Sequence, residues 1–247
     1  GATIDIKSTP KAIKIGAVII GTKVAMSVIL GLGVAFLFGD NFLGLSSLAI
    51  ISAVSVANNA LYSGIVSQYD DDAVKGAVAI TSLSVVPTVT MIALSSAGLA
   101  SISIWSIIGS ILPLILGNVS PWFKQTLSAG VTPSIIVVGF ALGCGMSIQQ
   151  LFQGGLSGIL LGLITVFVVG GVTILMDKIT GGNGVAGAAI SSTAASGVSN
   201  PGALAAVDPS YAAVAPIATA QVAASVIITS FLTPMLANFV AKRSGKK

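Results

Sequence analysis

Apolar residues run along this chain in long stretches rather than in the short alternations of a half-buried sheet. A hydrocarbon core of about 30 Å takes about 20 mostly apolar residues to cross as a helix. Stretches of that length, bounded by charge, Pro/Gly or polar clusters, fall at roughly 12–38, 43–67, 73–97, 104–122, 126–148, 153–176, 183–206 and 211–240. They are rich in Leu, Val, Ile and Ala with scattered Gly and Ser, and are too long for the alternating strands of about 10 residues in a membrane barrel. The pattern predicts an all-α integral membrane protein of about eight transmembrane helices, packed closely through small residues.

Composition agrees and removes other classes. Of 247 residues, 54% are hydrophobic and 7% charged, with a mean hydropathy of +1.03; an ordinary soluble domain carries roughly 25% charged residues. Cys144 stands alone, so neither a disulfide framework nor a Cys-based zinc site is drawn, and the absence of His removes most hydrolytic constellations. No catalytic residue and no metal site is predicted. The net charge of +4 points to basic residues at one membrane face rather than to nucleic acid. Their positions fit: with the spans alternating from a cytoplasmic N-terminus, Lys7, Lys11, Lys14, Lys75, Lys124, Lys178, Lys242, Arg243, Lys246 and Lys247 all fall on the inner side. The opposite connections, near Asp40, Ser101, Gln149 and Asp208, carry no basic residue. Both termini are therefore expected in the cytoplasm.

Two spans carry amides where hydrocarbon would be expected: Ser55-Val-Ala-Asn-Asn-Ala-Leu-Tyr-Ser-Gly and Ser196-Gly-Val-Ser-Asn-Pro-Gly-Ala-Leu. An Asn in a membrane must be satisfied, and Pro201 removes a helical hydrogen bond, so both spans are expected to break. Broken helices in corresponding positions of two halves point to a transporter's binding site. Gly1-Ala-Thr-Ile-Asp-Ile also has a partial echo in Gly145-Met-Ser-Ile-Gln-Gln. This places an incomplete first repeat, the last three helices of five, at 1–100 and a full five-helix second repeat at 101–247. The chain opens without Met or a signal-peptide pattern and reads as a truncated member of a ten-helix, inverted-repeat design.

Gly1-Ala-Thr-Ile-Asp, Asn58-Asn-Ala-Leu-Tyr, Gly181-Gly-Asn-Gly-Val-Ala-Gly, Ser199-Asn-Pro and the closing Ala241-Lys-Arg together resemble the 2-keto-3-deoxygluconate permease family, along essentially the whole chain. The resemblance implies a fold similar to the bile acid sodium symporters, with two crossing broken helices. It implies import of 2-dehydro-3-deoxy-D-gluconate, an anionic sugar acid, by proton symport across the bacterial inner membrane, with no cofactor. Asn58-Asn-Ala departs from the Asp-Thr-Asn-Gly-Gly of many members, which leaves Na⁺ and another organic anion as alternatives; homodimerisation is left open.

The expected substrate-binding residues are Lys23, Asn58, Asn59, Ser63, Asn183, Ser196, Ser199 and Asn200. Lys23 is the charged residue deep inside a span, about 16 Å along the first helix at 1.5 Å per residue, and is expected to pair with the substrate carboxylate. The acidic residues are all Asp and lie at or near span ends, leaving Asp5 as the nearest candidate for proton coupling. Gly182-Asn-Gly-Val-Ala-Gly187 fits a dinucleotide fingerprint with Asp208 following, but it lies between hydrophobic spans and not after a strand. Asp70-Asp-Asp reads as a solvated connection. A channel, a membrane-embedded enzyme and a nonfunctional fragment are the competing readings.

Overall fold

The computed structural model describes residues 10–69, 71–81, 90, 92, 95, 104–123, 125–126, 129 and 148–244. Their regular structure is helical, with a lone antiparallel bridge between Phe42 and Leu45. Helix α1 (Pro10–Leu37) opens on a proline, which its first turn tolerates because the missing N–H has no intrahelical partner there. It is followed by α2 (Ser47–Val54), α3 (Asn59–Val66), the short α4 (Asp72–Gly76) and α5 (Val78–Thr81), and α6 (Ile104–Val119). The next helical rod comprises α7 (Ile148–Leu163), a π-helical turn at Ile164–Val169 and α8 (Gly170–Ile179). The chain then passes through α9 (Val185–Ala189), a 3₁₀ turn at Ala195–Ser199, α10 (Asn200–Val207) and a 3₁₀ turn at Pro209–Tyr211 to the long α11 (Ala215–Arg243).

Hydropathy overcounts the crossings among the described residues. Among the described residues, three helices are long and apolar enough to span a membrane: Pro10–Leu37, Gly154–Ile179 and Ala215–Arg243. Ser47–Val54 with Asn59–Val66, bent by 41°, makes a fourth if the pair is one span. The expectation of about eight spans is therefore corrected, among the described residues, to three or four, and those residues do not display a ten-helix inverted repeat of the bile acid symporter kind. The physical reason is that an apolar window registers composition and not continuity. The stretch expected at 104–122 forms a 16-residue helix, about 24 Å long and short of a 30 Å core. The stretch at 183–206 divides into three short pieces. Much of 73–97 and nearly all of 126–148 lie outside the described residues, as do 1–6 and the first three residues, 145–147, of the Gly145 echo.

The long helices pack through glycine. On α7, Gly154, Gly158 and Gly162 recur every fourth residue and face α11 so closely that an added Cβ would stand 2.7 Å from Ala220 Cβ, 2.6 Å from Gln221 O and 2.8 Å from Ile228 Cβ. This is the small-residue seam that lets membrane helices approach.

The core divides into two apolar clusters. One gathers Leu48, Ile51, Val54, Leu161, Leu204 and Val222, with Val24 and Val198 packed against it. The other gathers Ile19, Ala57, Tyr62, Val185, Ile190 and Ala237. Each broken segment passes from one to the other at its break, between Val54 and Ala57 and between Ile190 and Val198. Helix α1 makes the same passage between Ile19 and Val24. Polar backbone and side chains concentrate at that boundary.

Candidate functional site

The first break begins where α2 ends and leaves Ser55–Asn58 outside regular helix. Asn58 restarts it by its side chain: Oδ1 accepts from Leu61 N at 3.0 Å, the bond by which an N-cap residue satisfies an orphan helical donor. The second break is longer. Between α9 and α10 the backbone of Ser191–Ala194 is irregular, and its polar groups are met by α11. Thr233 Oγ1 donates to Ser191 O at 3.0 Å, Thr193 N donates to Thr229 Oγ1 at 3.0 Å, and Thr193 Oγ1 lies 2.9 Å from Ser225 Oγ. Ser225, Thr229 and Thr233 recur every fourth residue and so share one face of α11.

The two breaks meet. Asn58 N donates to Ser192 Oγ at 3.1 Å. Lys23 Nζ donates to Val56 O in the first break and to Ser192 O in the second. Lys23 is fully buried, and its place follows from the inward stripe of α1, on which Ile15, Ile19, Lys23, Ser27 and Gly31 are spaced by four residues. A second polar link runs alongside: Asn200 Nδ2 donates to Thr90 Oγ1 at 2.9 Å and reaches Ser52 O at 3.5 Å, while Ser55 Oγ lies 2.8 Å from Thr90 Oγ1. All four side chains are buried. Beside these satisfied groups, Ser52 Oγ, Asn59 Oδ1 and Ser196 Oγ are buried with no hydrogen-bond partner among the described residues. Buried polar atoms without partners are uncommon and call for an explanation such as a ligand.

The residues expected from sequence thus separate. Lys23, Asn58 and Asn200 lie in the crossing. Asn59 starts α3, with Nδ2 donating to Thr81 O at 3.3 Å, and Ser196 precedes Gly197, which packs against Ser52 O and Val56. Ser199 Oγ donates to Ser196 O at 2.8 Å. Ser63 is half-buried on α3 and Asn183 lies in the α8–α9 turn, so neither is joined to the crossing by a hydrogen bond. Asp5 lies outside the described residues. Sequence reasoning missed Ser192, Thr193, Thr90 and the hydroxyl face of α11; the four-residue spacing of Ser225, Thr229 and Thr233 was the available signal.

The Gly-rich segment serves a buried carboxylate. Asp177, near the end of α8 and 2% exposed, accepts from Gly187 N at 3.2 Å. A Cβ on Gly182 would stand 2.0 Å from Asp177 Oδ1, and one on Gly187 would stand 2.4 Å from Thr173 O. Gly184 has φ +88°, which favours glycine. The motif closes a tight turn around Asp177 and seats α9 against α8; no strand precedes it, so the dinucleotide reading falls.

Asp40, Asp71 and Asp208 serve helix starts. Asp40 Oδ1 accepts from Ser47 N at 2.6 Å, Asp71 Oδ1 from Ala73 N and Val74 N, and Asp208 Oδ1 from Ser210 N. Beside the last, burial and then the Asp208 and Asp40 charges push the Tyr211 hydroxyl up to about 12. Their placement at span ends thus has a structural cause, the attraction of an anion to helix N-termini.

Comparison with known proteins assigns the chain to a family. The 2-keto-3-deoxygluconate permease family model matches residues 1–246. The chain is 44% identical to 2-keto-3-deoxygluconate permease 1 of Salmonella typhimurium, with 100% of the chain and 80% of that protein aligned. It is 37% identical to the 2-keto-3-deoxygluconate permease of Enterobacter sp. strain 638, covering 99% of the chain and 77% of the relative, and 35% identical to that of Xanthomonas euvesicatoria pv. vesicatoria, covering 98% and 80%. No solved structure matches it. With its long apolar helices and two interrupted segments meeting at a buried polar crossing, the chain belongs to the 2-keto-3-deoxygluconate permease family.

Proposed function

We propose that this protein is a secondary transporter that carries 2-keto-3-deoxygluconate across the bacterial inner membrane together with a proton. Its relatives are named as permeases for that sugar acid, and membership in a transport family sets aside the membrane-embedded enzyme. The observation that carries the site assignment is the meeting of two interrupted helices, Asn58 N on Ser192 Oγ, beside buried hydroxyls that lack partners.

The substrate is an anion at neutral pH, with hydroxyls along its chain. Helices α3 and α10 both begin in the broken segments, at Asn59 and Asn200, and the dipole at a helix N-terminus favours a carboxylate. The open hydrogen-bonding capacity of Ser52, Asn59 and Ser196 suits the hydroxyls, with Asn200 and Thr90 beside them. A polar crossing between two apolar clusters also suits alternating access, in which one packed body moves against another around a fixed site.

The test is uptake of labelled 2-keto-3-deoxygluconate by cells expressing the chain, with and without a protonophore. Saturable uptake that the protonophore abolishes is the expected result. Saturable uptake that ignores the protonophore and follows Na⁺ overturns the proton as coupling ion, and absence of uptake overturns the substrate assignment.

A further inference from the structure

A proton that crosses with an anionic solute must ride on the solute or on an ionisable group within the crossing. Four of the described carboxylates are engaged elsewhere: Asp40, Asp71 and Asp208 cap helix starts, and Asp177 accepts from Gly187 N in the Gly-rich turn. One cation lies in the crossing itself. Lys23 is fully buried, and its Nζ donates to one carbonyl of each break, 33 and 169 residues away in sequence.

Three features of this geometry matter. An ammonium has three N–H donors and a neutral amine two with a lone pair, so both carbonyl bonds survive loss of the proton. The partners of Lys23 Nζ are both neutral backbone groups, and no carboxylate is paired with it among the described residues. An ammonium buried without a counter-charge is costly, and an anion entering the same region removes that cost.

The surroundings supply no substitute. On α3 the Tyr62 hydroxyl donates to Val74 O, and α2, α5 and α9 carry no acidic or basic residue. Helix α4 carries Asp72 and Lys75. Helix α8 carries Asp177 and Lys178, and Lys11 and Lys14 stand two to three turns before Lys23 on α1.

Resting on the transport reading above, we propose that Lys23 is the proton-carrying residue: its amine takes up a proton when the sugar-acid anion binds at the broken helices and releases it when the anion leaves. The step conserves charge, because the amine lone pair accepts one proton from solvent as one negative charge enters. By linkage, the proton tightens anion binding as much as the anion tightens proton binding. The two carbonyl bonds keep the amine at the junction of both breaks through the cycle, so that its charge is felt by both halves of the site.

The experiment uses the purified full chain and 2-keto-3-deoxygluconate as the probe. In weakly buffered detergent solution at near-neutral pH, binding is expected to take up about one proton per substrate, the stoichiometry of a single linked site. Lys23→Arg keeps a donor and stays charged, and is expected to bind with proton uptake reduced at least about fivefold if Lys23 is the linked group. Absence of substrate binding by the unmutated protein overturns the transport reading and this proposal with it. Binding without proton uptake overturns the proposal alone, as does undiminished uptake in Lys23→Arg. A measurement on the unmutated, ¹⁵N-lysine-labelled protein keeps the test independent of whether the variant folds. One Nζ resonance is expected at a neutral-amine position without substrate and at an ammonium position with it; ammonium signals alone in both states overturn the proposal.

Discussion

The two breaks solve one problem by opposite means. At Ser55–Asn58 the chain bends by 41° and restarts within a few residues, and the residue that restarts it, Asn58, caps the new helix with its own side chain. At Ser191–Ala194 the interruption is longer, and its backbone is satisfied from another helix, by Thr229, Thr233 and Ser225 of α11. Just before it, α9 is seated by contacts so close that they admit only glycine. The first break is a local device, whereas the second depends on the surrounding fold. Any motion that separates α11 from the second break exposes backbone groups to hydrocarbon, so the second break is expected to move with α11 and the first to bend on its own.

The largest expected effect comes from the same substitution made in each region. Gly187→Ala puts a Cβ 2.4 Å from Thr173 O, and Gly64→Ala, on α3, meets nothing within 4 Å. The former is expected to cost about 3 kcal/mol or more through backbone overlap, seen as loss of monodisperse protein on gel filtration in detergent. The latter is expected to be neutral or to stabilise by about 0.5 kcal/mol through helix propensity. Equal behaviour of the two variants would remove the distinction between the breaks.

Next in size is Thr229→Val, which keeps the shape and leaves Thr193 N without its acceptor. A buried donor left unpaired costs about 1–3 kcal/mol, read as a lowered thermal transition of the detergent-solubilised protein, with Thr229→Ser restoring most of it. Asn58→Ala follows, with a loss of about 1 kcal/mol for a missing cap and partial rescue by Asn58→Asp. If Asn58→Ala destabilised more than Thr229→Val, the first break would also depend on long-range support.

The contrast between the breaks also sets how much of the molecule was legible in sequence. The three long helices fall close to the apolar stretches expected at 12–38, 153–176 and 211–240, because each is continuous and its composition is uniform. The first break was legible because its cap is an Asn in the segment it caps. Pro201 marked the second region but not its break: it lies in the first turn of α10, after the irregular backbone has ended. The number of spans was not legible, since a window that tolerates Ser and Gly cannot tell a helix from a folded-back pair of short ones. The position of Lys23 on an inward stripe was readable from four-residue spacing, but its partners were not, since they are carbonyls that exist as acceptors only because two distant helices stop. Asp177 looked like a span-end carboxylate; only the Gly182 and Gly187 contacts show why it is enclosed.

The smallest effect concerns Asn183, which sequence placed with the substrate-binding residues and which lies in the turn before α9. Its Oδ1 accepts from Val185 N at 2.9 Å, a bond local to the turn, and the residue is half-buried. If that bond is its whole role, Asn183→Ala lowers stability by about 0.5–1 kcal/mol, the range for a lost side-chain cap, and leaves the apparent KM for 2-keto-3-deoxygluconate unchanged. Asn183→Asp then recovers the stability, because a carboxylate accepts from the same N–H. If the side chain instead contacts the solute, Asn183→Ala raises KM severalfold while the thermal transition barely moves, and Asp, which adds a like charge to an anion's path, fails to restore it. The pair of readouts decides whether the substrate region extends from the crossing along α9 to the Gly-rich turn or ends where the two breaks meet.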